Sequence, residues 1–321
     1  MEHNNKNKET IKALSKAINL DPENPEGYIS RAHVHFSMEN FQEASIDSSK
    51  AIELDPEDPE GYVARAHSNY SMENFQEAFK DFTKAIELDP GDSYLYVWRA
   101  YTHDSMENFQ KAIEDSSKAI ELDPENPEGY LLRGEIHEHI ENYQMAIEDY
   151  SKAIEFDPEN LEAYKWRGVN HDSIGNFQEA IEDFSRAIEL DPEDSYLYAS
   201  RAHAYDSIEN YQEAIEDSSK AIELDPEDPE GYIARAHTHY SMQNYQEAIE
   251  DSSKAIELDP EDPEGYIARA HAHHSIENYQ EAIDDFSKAI ELDPEDQEIY
   301  LLRADLYKDL NQFPPIDKDI S

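Results

Sequence analysis

The chain has 321 residues, 75 of them acidic and 26 basic, for a formal net charge of -49. A surface this negative repels nucleic-acid phosphates and anionic membranes and favours basic proteins or peptides. The lack of cysteine excludes disulfides, thiolate nucleophiles and cysteine-ligated zinc.

Hydrophobic residues make up 38% of the chain, which on composition alone leans toward disorder. Their strict periodicity argues the other way, because it shows where apolar groups fall rather than how many there are. No run of about 18 apolar residues is present to span a bilayer. The polar opening Met1 to Thr10 lacks the apolar stretch of a secretory leader. The expectation is a soluble, cytoplasmic protein.

Residues 1–24 carry one predicted helix, with Ala17, Leu20 and Pro22 in register with the repeats downstream. Asp-Pro recurs from Asp21-Pro22 and Asp55-Pro56 to Asp293-Pro294 at a constant spacing of 34 residues. A fixed period of this size marks an array in which each unit buries its apolar face on its neighbours. Eight complete units fill 25–296, and the unit 229–262 shows their plan. Tyr232, Ala236 and His239 mark one face of a first helix, A. Gln243-Asn244 is a polar turn, and Tyr245, Ala248, Ile249, Ala255, Ile256 and Leu258 form the stripe of a second helix, B. Asp259-Pro260 ends helix B because proline cannot continue the hydrogen-bond ladder, and Pro263 opens the next unit where no donor is needed. Residues 297–321 supply a ninth helix A and a short tail, in which Phe313-Pro314-Pro315 stops the pattern.

With Pro229 counted as position 1, tyrosine holds position 4 from Tyr28 to Tyr300, and proline holds position 32. Alanine holds position 20 from Ala44 to Ala282 and position 27 from Ala51 to Ala289. These residues resemble the tetratricopeptide repeat family over nearly the whole chain. The resemblance implies an all-α fold, a right-handed α-solenoid superhelix of antiparallel helix pairs in 34-residue repeats, with a non-enzymatic, protein-binding role. Two positions depart from the family pattern. Position 8 is mostly alanine rather than glycine, which still allows close packing. Position 24 is Phe82, Tyr150, Phe184 and Phe286 in four units but Ser48, Ser116, Ser218 and Ser252 in the others. Loss of a buried ring costs a few kcal/mol, so the four serine units are expected to be looser and to exchange their amides faster.

Several repeated features read as scaffold. Arginine at position 7, from Arg31 to Arg303, reads as the partner of position-23 carboxylates such as Asp217 and Asp251 rather than as a ladder for anions. Histidines gather at positions 9 and 11 of helix A. Equivalent positions on neighbouring helices lie about 10 Å apart, too far for a compact site, so no metal is expected. These histidines line the groove and the packing, and their charge can respond near neutral pH. The link from Asp55 to Gly61 has the acidity of a calcium loop, but it contains Pro59 and brings glycine one place late. No Gly-rich phosphate loop, nucleophile elbow or metalloprotease helix is present, so neither catalysis nor a cofactor is expected.

By the resemblance, helix A lines a concave groove through positions 2, 5, 6, 9, 12 and 13. Position 6 supplies Trp98, Leu132 and Trp166, with Tyr94, Tyr101 and Tyr196 nearby. Position 12 adds Asp104, Glu138, Asp172 and Asp206. Tryptophan beside charge suits a binding hot spot, here for a basic or amphipathic protein segment. The residues with which some family members clamp the carboxylate of heat-shock chaperones are absent. Lys165 stands at position 5 of its unit, but position 9 is Val169 and Asn170 comes one place late. The leading expectation is an adaptor. Its rival is a passive structural role through self-association of the array.

Overall fold

The computed structural model describes residues 2–309, with side chains described from 6 to 307. The described residues hold 18 α-helices and no strand. The A helices are α2 (Pro25–Phe36), α4 (Pro59–Ser71), α6 (Ser93–Asp104), α8 (Pro127–His139), α10 (Leu161–Ser173), α12 (Ser195–Ser207), α14 (Glu230–Ser241), α16 (Pro263–Ser275) and α18 (Gln297–Asp309). The B helices are α1 (Glu2–Leu20), α3 (Phe41–Leu54), α5 (Phe75–Leu88), α7 (Phe109–Leu122), α9 (Tyr143–Phe156), α11 (Phe177–Leu190), α13 (Tyr211–Leu224), α15 (Tyr245–Leu258) and α17 (Tyr279–Leu292). The expected stop at Phe313-Pro314-Pro315 lies outside the described residues. The chain divides into two compact units, Met1–Pro158 and Glu159–Ser321. Within each, every helix packs on the next in sequence, and neighbouring A helices also touch, as α6 with α8 and α14 with α16.

The boundaries follow from backbone chemistry. The Asp58 carboxylate accepts from the Glu60 N–H at 3.0 Å and caps α4, with Pro59 in the first turn. Asn24, Asp92, Asn126, Asp194 and Asp262 cap their helices in the same way, each satisfying an N–H that the helix leaves open. Position 15 of the A–B turn takes the left-handed backbone, from Glu39 (φ 61°) to Glu277 (φ 63°). Gly175 (φ 77°) is the glycine among these eight sites. The next residue closes the turn, as the Asn74 N–H donates to the Asn69 carbonyl at 2.8 Å. After helix B, the tyrosine at position 4 reaches back over the Asp-Pro corner, where the Tyr62 hydroxyl donates to the Pro56 carbonyl at 3.3 Å.

The arginines are structural, as their spacing predicts. In each of the eight complete repeats, the position-7 guanidinium grips the position-23 aspartate with two hydrogen bonds of 2.6–2.9 Å. The same arginine often reaches the preceding helix B as well, as Arg65 to Ser49 at 3.2 Å and Arg201 to Ser185 at 2.9 Å. One cation therefore ties a hairpin to itself and to its neighbour, and the planar fork suits that task better than an ammonium would.

Position 24 decides what fills the hairpin. Tyr150, Phe184, Phe82 and Phe286 are fully buried. Gly134 and Gly168 face two of these rings, and a Cβ at either would come within 2.9 or 2.8 Å of the ring. Glycine at position 8 is thus matched to a ring at position 24. The four serines are also fully buried, and each hydroxyl donates to the carbonyl one turn back, as Ser116 to Ala112 at 2.8 Å. Leu132 and Ile136 of α8 are fully buried against Val97, Ala100, Ala112 and Ala119.

Candidate functional site

That burial corrects the expected Trp98-Leu132-Trp166 stripe. Leu132 has no exposed surface, because it packs among Val97, Ala100, Ala112 and Ala119, and it presents nothing to a ligand. Trp98 is packed inside an aromatic cluster of the first unit. Its ring centroid lies 4.5 Å from His67, 5.8 Å from Tyr70, 6.0 Å from Tyr94 and 5.6 Å from Tyr101, and it stacks on Phe82 at 6.2 Å. Burial in this cluster pushes the His67 imidazole down to about 4. Tyr94 remains exposed at the edge. The acids of the same unit have internal partners: Asp104 meets His139 Nδ1 at 3.0 Å, and Glu138 accepts from the Tyr150 hydroxyl at 3.2 Å.

In the second unit, Trp166 is engaged by its own helix. Its Nε1 donates to Glu162 at 2.9 Å. The Lys165 ammonium lies 5.4 Å from the Trp166 ring and 4.7 Å from the Tyr196 ring, and 3.6 Å from Asp194. An internal cation thus covers the aromatic faces that the sequence offered to a partner.

The open space of this unit lies beside that contact, on the face made by α10, α12, α14 and α16. A cavity of about 300 Å³ is floored by Val169, Phe184 and Ile233 and rimmed by Asp172, Glu230 and Glu264, with Tyr196, His203 and His237 completing the wall. Its width comes from position 6, which is Ser200 and Ala234 here. A second cavity of about 230 Å³ adjoins it between α12, α14 and α16, with Asp206, Tyr240, Ser241, Ala268 and His271 in its wall. His237 lines both.

The charges of these cavities differ in how they are satisfied. Asp172 meets His203 Nδ1 at 3.1 Å, and that contact raises the His203 pKa. Glu230 and Glu264 have no such counter-ion among the described residues. Both are pushed above the ordinary glutamate value, first by burial and then by the neighbouring acids Asp228, Asp262 and Asp296. Asp206 is raised by burial. The Ser241 hydroxyl donates to its Oδ2 at 3.1 Å, while its Oδ1 is buried from solvent. His237 is driven down to about 4 by burial and then by His203 and His271, so it is neutral at physiological pH.

Of the expected site residues, Asp172, Tyr196 and Asp206 meet at these cavities. The sequence does not single out Glu230, Glu264, His203 or His237. They stand at the groove-facing positions 2 and 9, but glutamate and histidine recur there so regularly that repetition masks them. Among the described residues, no group of three or more His, Asp or Glu converges as metal ligands, and no helix is long and apolar enough to cross a membrane.

Tetratricopeptide repeat family models match residues 25–58, 59–92, 82–114, 127–160, 161–194, 195–228 and 263–296, and a TPR repeat model matches 236–277. The chain belongs to the tetratricopeptide repeat family, and its fold is an all-α repeat solenoid. A tetratricopeptide repeat protein from Parabacteroides merdae has a similar structure, at 19% identity and TM-score 0.66 over 78% of this chain and 98% of that one. Yeast Tom70 is similar at 19% identity and TM-score 0.54, over 96% of this chain and 86% of that one. YrrB, described as a TPR protein with an unusual peptide-binding site, is similar at 24% identity and TM-score 0.52, over 61% of this chain and 97% of that one. At these identities the likeness concerns the fold. A search of curated proteins returned no match.

Proposed function

We propose that the chain is a protein-interaction scaffold that takes a basic or amphipathic protein segment on the A-helix face of residues 161–275. The observation that carries this reading is the acidic cavity beside Tyr196, in which Glu230 and Glu264 face open space without a counter-ion. Carboxylates in that state gain from an incoming cation, and the Val169, Phe184 and Ile233 floor gains from an apolar stem. A fluorescein-labelled amphipathic peptide carrying lysine and arginine is expected to bind the wild-type chain. It should lose at least tenfold in affinity to Ala234→Leu, which fills the cavity without touching a charge. Equal binding to both chains would remove the site from this face.

Self-association is the second reading. Leu20 on α1 and Leu301 on α18 are 79% and 67% exposed, an apolar group on each of these two helices that a second copy could cover. The net charge of -49 opposes such contact at low salt. Sedimentation at two ionic strengths tests it: an oligomer that persists at low salt and is lost in Leu301→Glu would put this reading first.

A further inference from the structure

Lys165 departs from its repeat. Position 5 of the A helix is otherwise apolar, from Ile29 and Val63 to Ile233 and Ile267. Across residues 25–296, no other lysine or arginine stands at position 2, 5, 6, 9, 12 or 13 of an A helix. On the reading that this face takes a basic segment, we propose that Trp166, Tyr196 and Asp194 form a site for a lysine side chain of that segment, and that Lys165 is the site's internal occupant, displaced when the segment binds.

The site is built by two helices. Trp166 comes from α10, Tyr196 from α12, and Asp194 caps α12. The Lys165 ammonium lies 4.7 Å from the Tyr196 ring, 5.4 Å from the Trp166 ring and 3.6 Å from Asp194 Oδ2. The other Asp194 oxygen accepts from the Tyr196 N–H at 3.0 Å, so the backbone holds this carboxylate independently of any cation. Two aromatic faces beside a held carboxylate are what an ammonium ion needs, and the chain's own lysine already fills the place. Its side chain is 19% exposed, whereas Lys118 and Lys80, in ion pairs on B helices, are 38% and 58% exposed. Tyr196 also lines the larger cavity, so the site borders the space that a segment would enter.

The exchange replaces one ammonium by another, so the two rings and Asp194 keep a cation. A segment with an apolar side chain at this place would leave Asp194 without one, and is discriminated against. The released Lys165 keeps a carboxylate on its own helix, because Glu162 is exposed three residues earlier on the same face. Self-occupancy lowers the apparent affinity in proportion to the time that the site is free. A site free about a tenth of the time binds about tenfold more weakly than the empty one. A lysine that served only to join α10 to α12 would leave no site behind when removed.

The probe is n-butylammonium, which carries the carbons and the charge of a lysine side chain. It is titrated into the full chain at constant ionic strength and followed by the Trp166 indole N–H resonance. Lys165→Met should bind it about tenfold more tightly than the wild-type chain, with no such gain for butanol. Lys220→Met, which removes an equal charge from the exposed pair with Glu223, should match the wild type. Adding Asp194→Asn to Lys165→Met should cancel the gain, since asparagine still caps α12 but carries no charge. Circular dichroism verifies that the variants fold. Equal affinity in the wild type and Lys165→Met, a gain matched by Lys220→Met, or a gain that survives Asp194→Asn overturns the site. The labelled amphipathic peptide should also bind Lys165→Met more tightly. If it binds both chains alike, the displacement is overturned while the basic-segment reading stands. If butylammonium shows the gain and the peptide binds neither chain, the ammonium site stands and the basic-segment reading falls.

Discussion

The two compact units share one repeat and use its A-helix face in opposite ways. In Met1–Pro158, large side chains close that face: Trp98 completes an aromatic cluster with His67, Tyr70, Phe82, Tyr94 and Tyr101, and Leu132 sinks into the core. In Glu159–Ser321, three successive A helices carry Ser200, Ala234 and Ala268 at position 6, and two cavities open beside them. In a stacked array, a large residue at a groove position can be taken up by the packing of the neighbouring helices, as Leu132 and Trp98 are. Room for a ligand opens beside the run of small groove residues on α12, α14 and α16.

The largest expected effect breaks the closed face. Leu132→Ala removes a fully buried side chain and should cost about 2–5 kcal/mol, read as lost amide-exchange protection in α7 and α8. Ala234→Leu, made at the open face, should change stability by less than about 1 kcal/mol. Comparable losses in both would show that the two faces are equally packed.

Next comes a change that should affect both units alike. Gly134→Ala and Gly168→Ala push a methyl group against Tyr150 and Phe184, an overpacking that costs about 1–3 kcal/mol. Adding Phe184→Leu to Gly168→Ala should restore part of the loss in urea denaturation. No restoration would mean that the glycine serves the backbone rather than the ring.

The histidines sharpen the comparison by pH. Burial lowers His67 in the first unit and His237 in the second from 6.5 to about 4. Both are neutral when folded, and the unfolded chain binds more protons between these values. Their contribution is complete above pH 6.5 and is lost as the pH falls toward 4. His67→Gln should flatten the acid loss of protection only in the first unit, and His237→Gln only in the second. His203 runs the other way. Asp172 raises its pKa, so its contribution is present below the ordinary histidine value and disappears as the pH rises through the folded one.

The smallest effect concerns the turns. Gly175→Ala places a side chain at φ 77° and should cost about 1 kcal/mol. Glu209→Gly, at φ 61°, should be neutral or slightly stabilising in a thermal melt. The reverse order would mean that Glu209 makes a contact that outweighs its strain.

Much of this was legible because the repeat states it many times. The helix limits could be read from Asp-Pro and the capping residues, and the arginine–aspartate tie from two residues 16 apart in every complete repeat. Trp98 and Leu132 were visible as deviations, but their direction was not. Whether a large side chain points to a partner or into the stack depends on the neighbouring helices, and here Leu132 is taken up among Val97 and Ala100 of α6 and Ala112 and Ala119 of α7.

The sequence by itself therefore determined the helical register, the all-α repeat class and the acidic character, because these depend on local backbone chemistry and on counts of residues. Only the tertiary structure decided which groove residues are buried, that Lys165 covers Trp166 and Tyr196, and that Glu230 and Glu264 line open space. The physical reason is that burial and counter-ion pairing are properties of several helices packed together. An identical repeat can carry a satisfied carboxylate or an unsatisfied one according to what its neighbours bring to it.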